Sequence, residues 1–183
     1  TPLYSSAASD VYKRQILMFI PLIVGYLTGQ LQIGLLMATG TLAHVYVFGG
    51  SARSKLRIVL YTTIGLSVAM VLGSLTVAQP LMFGMLLLIV TVVPYFIFSA
   101  LNIPGPSSTF FIVAFSLPVN LPVAPEEALT RGLTMFAGGI LATLVVIVNI
   151  LISKETAEFI AVKNEYATVS YTHLRAHETR GNL

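Results

Sequence analysis

Three stretches of this chain carry no Asp, Glu, Lys or Arg: Gln15 to Ala52, Ile58 to Pro125 and Gly132 to Ser153. A helix rises about 1.5 Å per residue and needs about 20 apolar residues to cross the hydrocarbon core of a bilayer, so each gap is long enough for at least one crossing. Only 9% of all residues are charged, against roughly a quarter in soluble domains, too few to build a hydrated surface. An ordinary soluble enzyme is therefore excluded. The formal charge of +3 raises the question of nucleic acid, but charges confined to the ends and to short loops make no binding surface for it. No nucleic-acid partner is expected, and the partner of most of the surface is the lipid bilayer. The absence of cysteine removes disulfides and thiolate metal sites.

Within the gaps, turn residues mark about six apolar segments. The first, Ile16 to Gly29, contains Pro21 and ends at Gln30-Leu31-Gln32; the second runs from Ile33 to Phe48. The basic stretch Gly49 to Arg57 follows. A third segment, Ile58 to Val77, closes at Gln79-Pro80, and a fourth, Leu81 to Ala100, contains Pro94. The turn Asn102 to Ser108 holds Pro104, Gly105 and Pro106 and cannot continue a helix. The fifth segment, Thr109 to Leu117, stops at Pro118, and the loop Asn120 to Glu127 leads into the sixth, Leu129 to Ile152. The expected fold class is all-α: a polytopic transmembrane helical bundle of about six spans, one short and broken.

Charge placement orients it. Arg53, Lys55 and Arg57 belong on the cytoplasmic side by the positive-inside rule, and so does Lys154 beyond the sixth segment. Four crossings between them return the chain to the same side, which requires the fifth segment to cross. Glu126 and Glu127 then fall on the opposite side. The fifth segment is too short for a clean span, and irregular backbone at membrane depth is tolerated where it is buried in protein or lines a watery cavity. Broken helices of this kind flank transporter sites; a tilted or re-entrant helix that only packs is the other reading.

The ends read differently from the middle. Ser5 to Gln15 is SSAASDVYKRQ and Val169 to Thr179 is VSYTHLRAHET, which resemble in-frame translations of the two strands of a transposase-type sequencing adapter. Codons for Asp10 to Gln15, reverse-complemented and read in another frame, give Val169 to His173. The organisation expected is therefore residues 1–15 as disordered adapter, 16–153 as a transmembrane helical domain, 154–167 as the start of a cytosolic segment and 168–183 as disordered adapter. Lys13, Arg14, Arg175 and Arg180 against Asp10 and Glu178 give the ends +2, leaving +1 of the total +3 for the remainder. His173 and His177 are accordingly not read as metal ligands.

No catalytic constellation appears: there is no His-Glu-x-x-His, Gly-x-Ser-x-Gly, phosphate-binding loop or dinucleotide fingerprint. No enzymatic activity, metal or organic cofactor is expected. Two residues stand out as substrate-binding candidates. His44 is ionisable at membrane depth, which fits a proton-sensitive group or ligand contact, or a neutral imidazole bonded to a neighbouring helix. Arg131, just after Glu126 and Glu127, fits an anion contact because a guanidinium binds carboxylates through paired hydrogen bonds. Snorkelling or pairing with the nearby glutamates is its structural reading. Gly138, Gly139 and Ala142 in the sixth segment, with Gly65, Ala69 and Gly73 in the third, form small faces suited to close helix packing.

The stretches PLIVGYLTGQLQIGLLMATGTLAHVY, ARSKLR and FSLPVNLPVAPEEALTRGLTMFAGGILATL together resemble the first membrane half of the fusaric acid resistance protein-like (FUSC) family, which includes aromatic carboxylic acid exporters. The resemblance implies export of aromatic or other small organic anions by a permease in a bacterial cytoplasmic (inner) membrane. It also implies a following cytosolic domain, and a second membrane block or a homo-oligomer as partner. Both ends of the 16–167 segment would be cytoplasmic. A non-transporting membrane scaffold or assembly subunit, or half of an unrelated permease, is the alternative.

Overall fold

The computed structural model of the protein describes residues 2–47, 51–103 and 105–152. The segments 154–167 and 168–183, with Lys154, His173 and His177, lie outside the described residues. Two compact units divide the chain, Thr1–Val146 and Ile147–Leu183. Of the second, only residues 147–152 are described, and they are helical.

The described residues form six helical segments and no strand. They are α1 (Pro2–Leu27), α2 (Leu31–Gly40, continuing as a 3-10 segment Thr41–Tyr46), α3 (Ala52–Thr76) and α4 (Pro80–Ala100). Then come α5 (Thr109–Ser116, continuing as a 3-10 segment Leu117–Asn120) and α6 (Pro125–Ile152). The fold is the expected all-α membrane-type bundle. The backbone of α1 is helical from Pro2. Pro2 and Pro21 are the only residues between Pro2 and Val24 that lack a backbone N–H or a side chain, so nothing stops a helix from running through residues 3–20.

The helix ends have local causes. Gly29 takes φ +70° and Gln30 N–H donates to the Gly25 carbonyl at 2.8 Å, the six-residue closure that ends a helix on a left-handed residue. Asn102, φ +49°, does the same for α4, with Ile103 N–H donating to the Phe98 carbonyl at 3.0 Å. Ser51 begins α3, its Oγ accepting from Ser54 N–H at 3.3 Å.

Among the described residues three helices are long and apolar enough to span: α3, α4 and α6, of 25, 21 and 28 residues. The other apolar segments found among the described residues, Gln15–Leu27, Leu31–Tyr46 and Thr109–Asn120, are shorter. In the second, the helix tightens at Thr41, whose hydroxyl donates to the Ala38 carbonyl at 2.6 Å and competes with the α-helical ladder. Tightening lengthens the segment: 10 α and 6 3-10 residues reach about 27 Å, close to a bilayer core of roughly 30 Å. The fifth, 8 α and 4 3-10 residues, reaches only about 20 Å.

Small residues set the packing. A Cβ on Gly40 would overlap the Met135 carbonyl, and one on Gly138 the Met37 carbonyl, so α2 and α6 cross with backbones in contact. α3 is central. Along it Gly65 meets the Phe111 ring and Gly73 the Phe115 carbonyl, so α5 runs in the same direction as α3. Gly132 meets Val71 and Gly139 meets Thr63, so α6 runs the opposite way. These are the small faces read from the sequence. Buried hydroxyls of α3 bond within the helix at Thr63, which donates to the Val59 carbonyl at 2.7 Å, and at Ser67, which donates to that of Thr63 at 2.9 Å, whereas the buried Ser74 hydroxyl has no partner among the described residues. At one end of the bundle Tyr46, fully buried, packs against Phe98, Phe110 and Phe111, and its hydroxyl donates to the Ser107 carbonyl at 2.8 Å. By contrast α4 buries only Val90, Pro94 and Phe98, one stripe of a helix that is apolar on nearly every face. An apolar exterior of this extent belongs in lipid.

Candidate functional site

Arg131 sits in the second turn of α6 with its side chain only 2% exposed, so it does not snorkel. Its Nε and Nη2 both donate to Oε2 of Glu127, one turn earlier, at 3.2 and 2.9 Å. Nη2 also donates to the Pro122 carbonyl at 2.8 Å. The chain can deliver that carbonyl because Pro122 lies in the irregular stretch before α6, where backbone acceptors are not consumed by a helix. Nη1 is buried and has no hydrogen-bond partner among the described residues. Of the five guanidinium N–H groups, three are engaged and the two on Nη1 are spare.

Arg131 lines a cavity of about 540 Å³ together with Gln30, Gln32, Glu127, Thr130 and Thr134, closed on its apolar side by Leu31, Ile33 and Leu36. The α1–α2 turn supplies one wall and the first turns of α6 the other. Neutral amides and hydroxyls beside one cation suit a small ligand that carries an acceptor or a negative charge. The carboxylate already present, Glu127, is 54% exposed and meets the guanidinium through one oxygen rather than in a two-point fork.

The pairing of Arg131 with a nearby glutamate, read from the sequence, is present. His44 is buried in the 3-10 segment after α2 and is not among the residues lining this cavity, so the two candidates do not form one site. Sequence reasoning missed Gln30 and Gln32, which it treated only as a break between segments. Their signal was there: two amides in a stretch with no charge. The fifth segment contributes nothing to this cavity. The cavity beside it, about 460 Å³ between α3, α4 and α5, is lined by Gly65, Ala69, Val90, Pro94, Phe98 and Phe111 among others and is almost wholly apolar. The cavity beside the fifth segment is apolar, and the one at the α1–α2 turn carries polar side chains.

The chain is 32% identical over 146 residues to a protein of Bacillus subtilis strain 168 that is named as uncharacterized membrane protein YvaC. The match takes in 80% of this chain and 23% of the relative, so the chain spans about a quarter of the length of the curated relative it matches. No family model matches, and no solved structure matches. The relative's membrane character and the apolar exterior of the helices agree: this is a helical membrane protein.

Proposed function

We propose that the chain is the membrane portion of a permease of the FUSC type that exports small organic acids, with Arg131 as the anion contact. The observation that carries the reading is the guanidinium on the wall of a polar cavity, 98% buried by difference from its 2% exposure, with Nη1 unengaged. Leaving a buried donor unsatisfied costs about 1–3 kcal/mol, and more for a charged group, which an incoming carboxylate would recover. A purely structural arginine gains nothing from that arrangement.

The orientation follows from α3. Arg53, Lys55 and Arg57 lie in its first two turns, where the helix dipole disfavours cations, so they do not serve to stabilise the helix. Retention on the cytoplasmic side of a bacterial inner membrane accounts for them. α3 and α5 then run outward and α6 inward, which places the Arg131 cavity at the outer end and the Tyr46 cluster at the inner end. Residues beyond this chain, as a second membrane block or a second copy, would complete the pathway. No enzymatic step, metal or organic cofactor is part of the proposal.

The test is made in the complete gene. Deletion is expected to lower tolerance to, and raise accumulation of, an aromatic acid such as benzoate, and R131Q is expected to reproduce the deletion with the protein still present in the membrane. Unchanged tolerance and accumulation in the deletion strain refutes export and favours a scaffold.

A further inference from the structure

We infer that Glu127 is a built-in competitor for the ligand of Arg131: its carboxylate lowers the affinity of the site for anions so that a bound anion can leave. This rests on the reading of Arg131 as an anion contact. Glu127 Oε2 takes two of the three engaged N–H groups, and the Pro122 carbonyl takes the remaining one. The Nε and Nη2 edge of the guanidinium is thereby occupied unless Glu127 withdraws. Withdrawal is open to it, because its side chain is 54% exposed while Arg131 is 2% exposed. The carboxylate can swing into water; the guanidinium cannot.

The chemistry distinguishes two states. With Glu127 in place the Nε and Nη2 edge is taken, and an arriving carboxylate faces a second negative charge across the same guanidinium. With Glu127 withdrawn, the Nε and Nη2 edge opens to two-point binding of a carboxylate. Either way the glutamate charge opposes the ligand. Sites that pass their cargo on must bind it firmly enough to admit it and weakly enough to release it. A neutral ligand with only a carbonyl acceptor would not meet this charge opposition, so the device acts on anions selectively.

The experiment is benzoate binding to the detergent-purified full-length protein by calorimetry, with benzamide as the neutral probe. E127Q is expected to tighten benzoate binding about tenfold or more, as expected for removal of a like charge a few ångströms away, and to leave benzamide nearly unchanged. E126Q, which removes a charge that does not contact Arg131, is expected to leave benzoate affinity within about twofold, since a solvated charge is screened. Should E127Q fail to fold, E127D keeps the charge but withdraws the oxygen from Nε, and is expected to tighten benzoate binding several-fold. If R131Q abolishes benzoate binding while E127Q or E127D leaves it unchanged or weaker, the competitor role is overturned and the anion site stands. If R131Q leaves benzoate binding unchanged, the anion site itself is overturned, and the competitor role with it.

Discussion

Alanine at Gly138 is expected to loosen the α2–α6 crossing and destabilise the protein, whereas alanine at Gly84, in α4, is expected to stabilise it slightly. A Cβ at Gly138 meets the carbonyl oxygen, carbonyl carbon and Cα of Met37, and one at Gly40 meets the carbonyl oxygen and carbon of Met135 and the Cα of Gly138. These obstacles are helical backbone, so no rotamer relieves them, and α2 has to move as a body. Forcing an extra methyl group into a close-packed contact costs about 1–3 kcal/mol. A separation of roughly 0.5–1 Å forfeits a quarter to a half of each dispersion contact across the crossing. In lipid there is no hydrophobic drive to press the helices back together. At Gly84 a Cβ meets nothing within 4 Å, and only the better helix propensity of alanine remains, worth about 1 kcal/mol.

Because propensity contributes to both variants, it cancels when they are compared, and G138A should fall below G84A by about 1–3 kcal/mol. The measurement is reversible unfolding in mixed micelles of mild detergent and SDS, followed by helical circular dichroism. A double variant sharpens the reasoning. Once G40A has pushed the helices apart, G138A meets a gap already opened, so the pair should cost less than the sum of the singles, by about 0.5 kcal/mol or more. Equal stabilities for G138A and G84A, or strict additivity of G40A and G138A, would refute a backbone contact at this crossing.

Tyr46→Phe removes the hydroxyl that donates to the Ser107 carbonyl and is expected to cost about 0.5–1.5 kcal/mol in the same titration, with the aromatic packing retained; no loss means that the bond is not formed. Arg131→Lys keeps the charge but offers no planar fork to Glu127 and Pro122 together, so export should fall nearly as far as in R131Q. Full activity of R131K would reduce the residue to a point charge. His44→Gln is expected to change the shape of the pH dependence of transport, and an unaltered profile removes His44 from proton coupling. The chain has no cysteine, so S54C and E126C can be introduced singly and labelled with a membrane-impermeant maleimide in whole cells. Only E126C is expected to react from outside, and labelling of S54C there inverts the orientation.

How much of this was legible in the sequence divides by range. The breaks at Gly29 to Gln32, Gln79-Pro80 and Asn102 to Ser108 were readable because a turn is written in its own residues: Gly29 and Asn102 adopt the left-handed backbone that the closures need. The Arg131–Glu127 pair was readable for the same reason, as neighbours four apart on a helix face each other. The tightening at Thr41 was not read, although its hydroxyl bond is local, because a threonine in an apolar run is compatible with either helix type. Non-local pairings were out of reach. Periodicity shows that Gly40 and Gly138 are small, but not that each is seated on the other helix.

The cavity is the most informative case, since it joins both kinds of evidence. Counting crossings from Arg53, Lys55 and Arg57 puts the Gly29 to Gln32 turn and the Asn120 to Glu127 loop at the same end of the bundle, without saying that they meet. In the structure they do meet: Gln30 and Gln32 share one cavity with Glu127 and Arg131. Had the parity been wrong by one crossing, these segments would lie a membrane thickness apart, about 30 Å, and no cavity could contain both. The shared wall shows that these two turns lie together in the fold. It also fixes where the proposed competition acts. On the proposed orientation Glu127 stands at the outer mouth, so a carboxylate that weakens the hold of Arg131 does so where an exported anion has to let go.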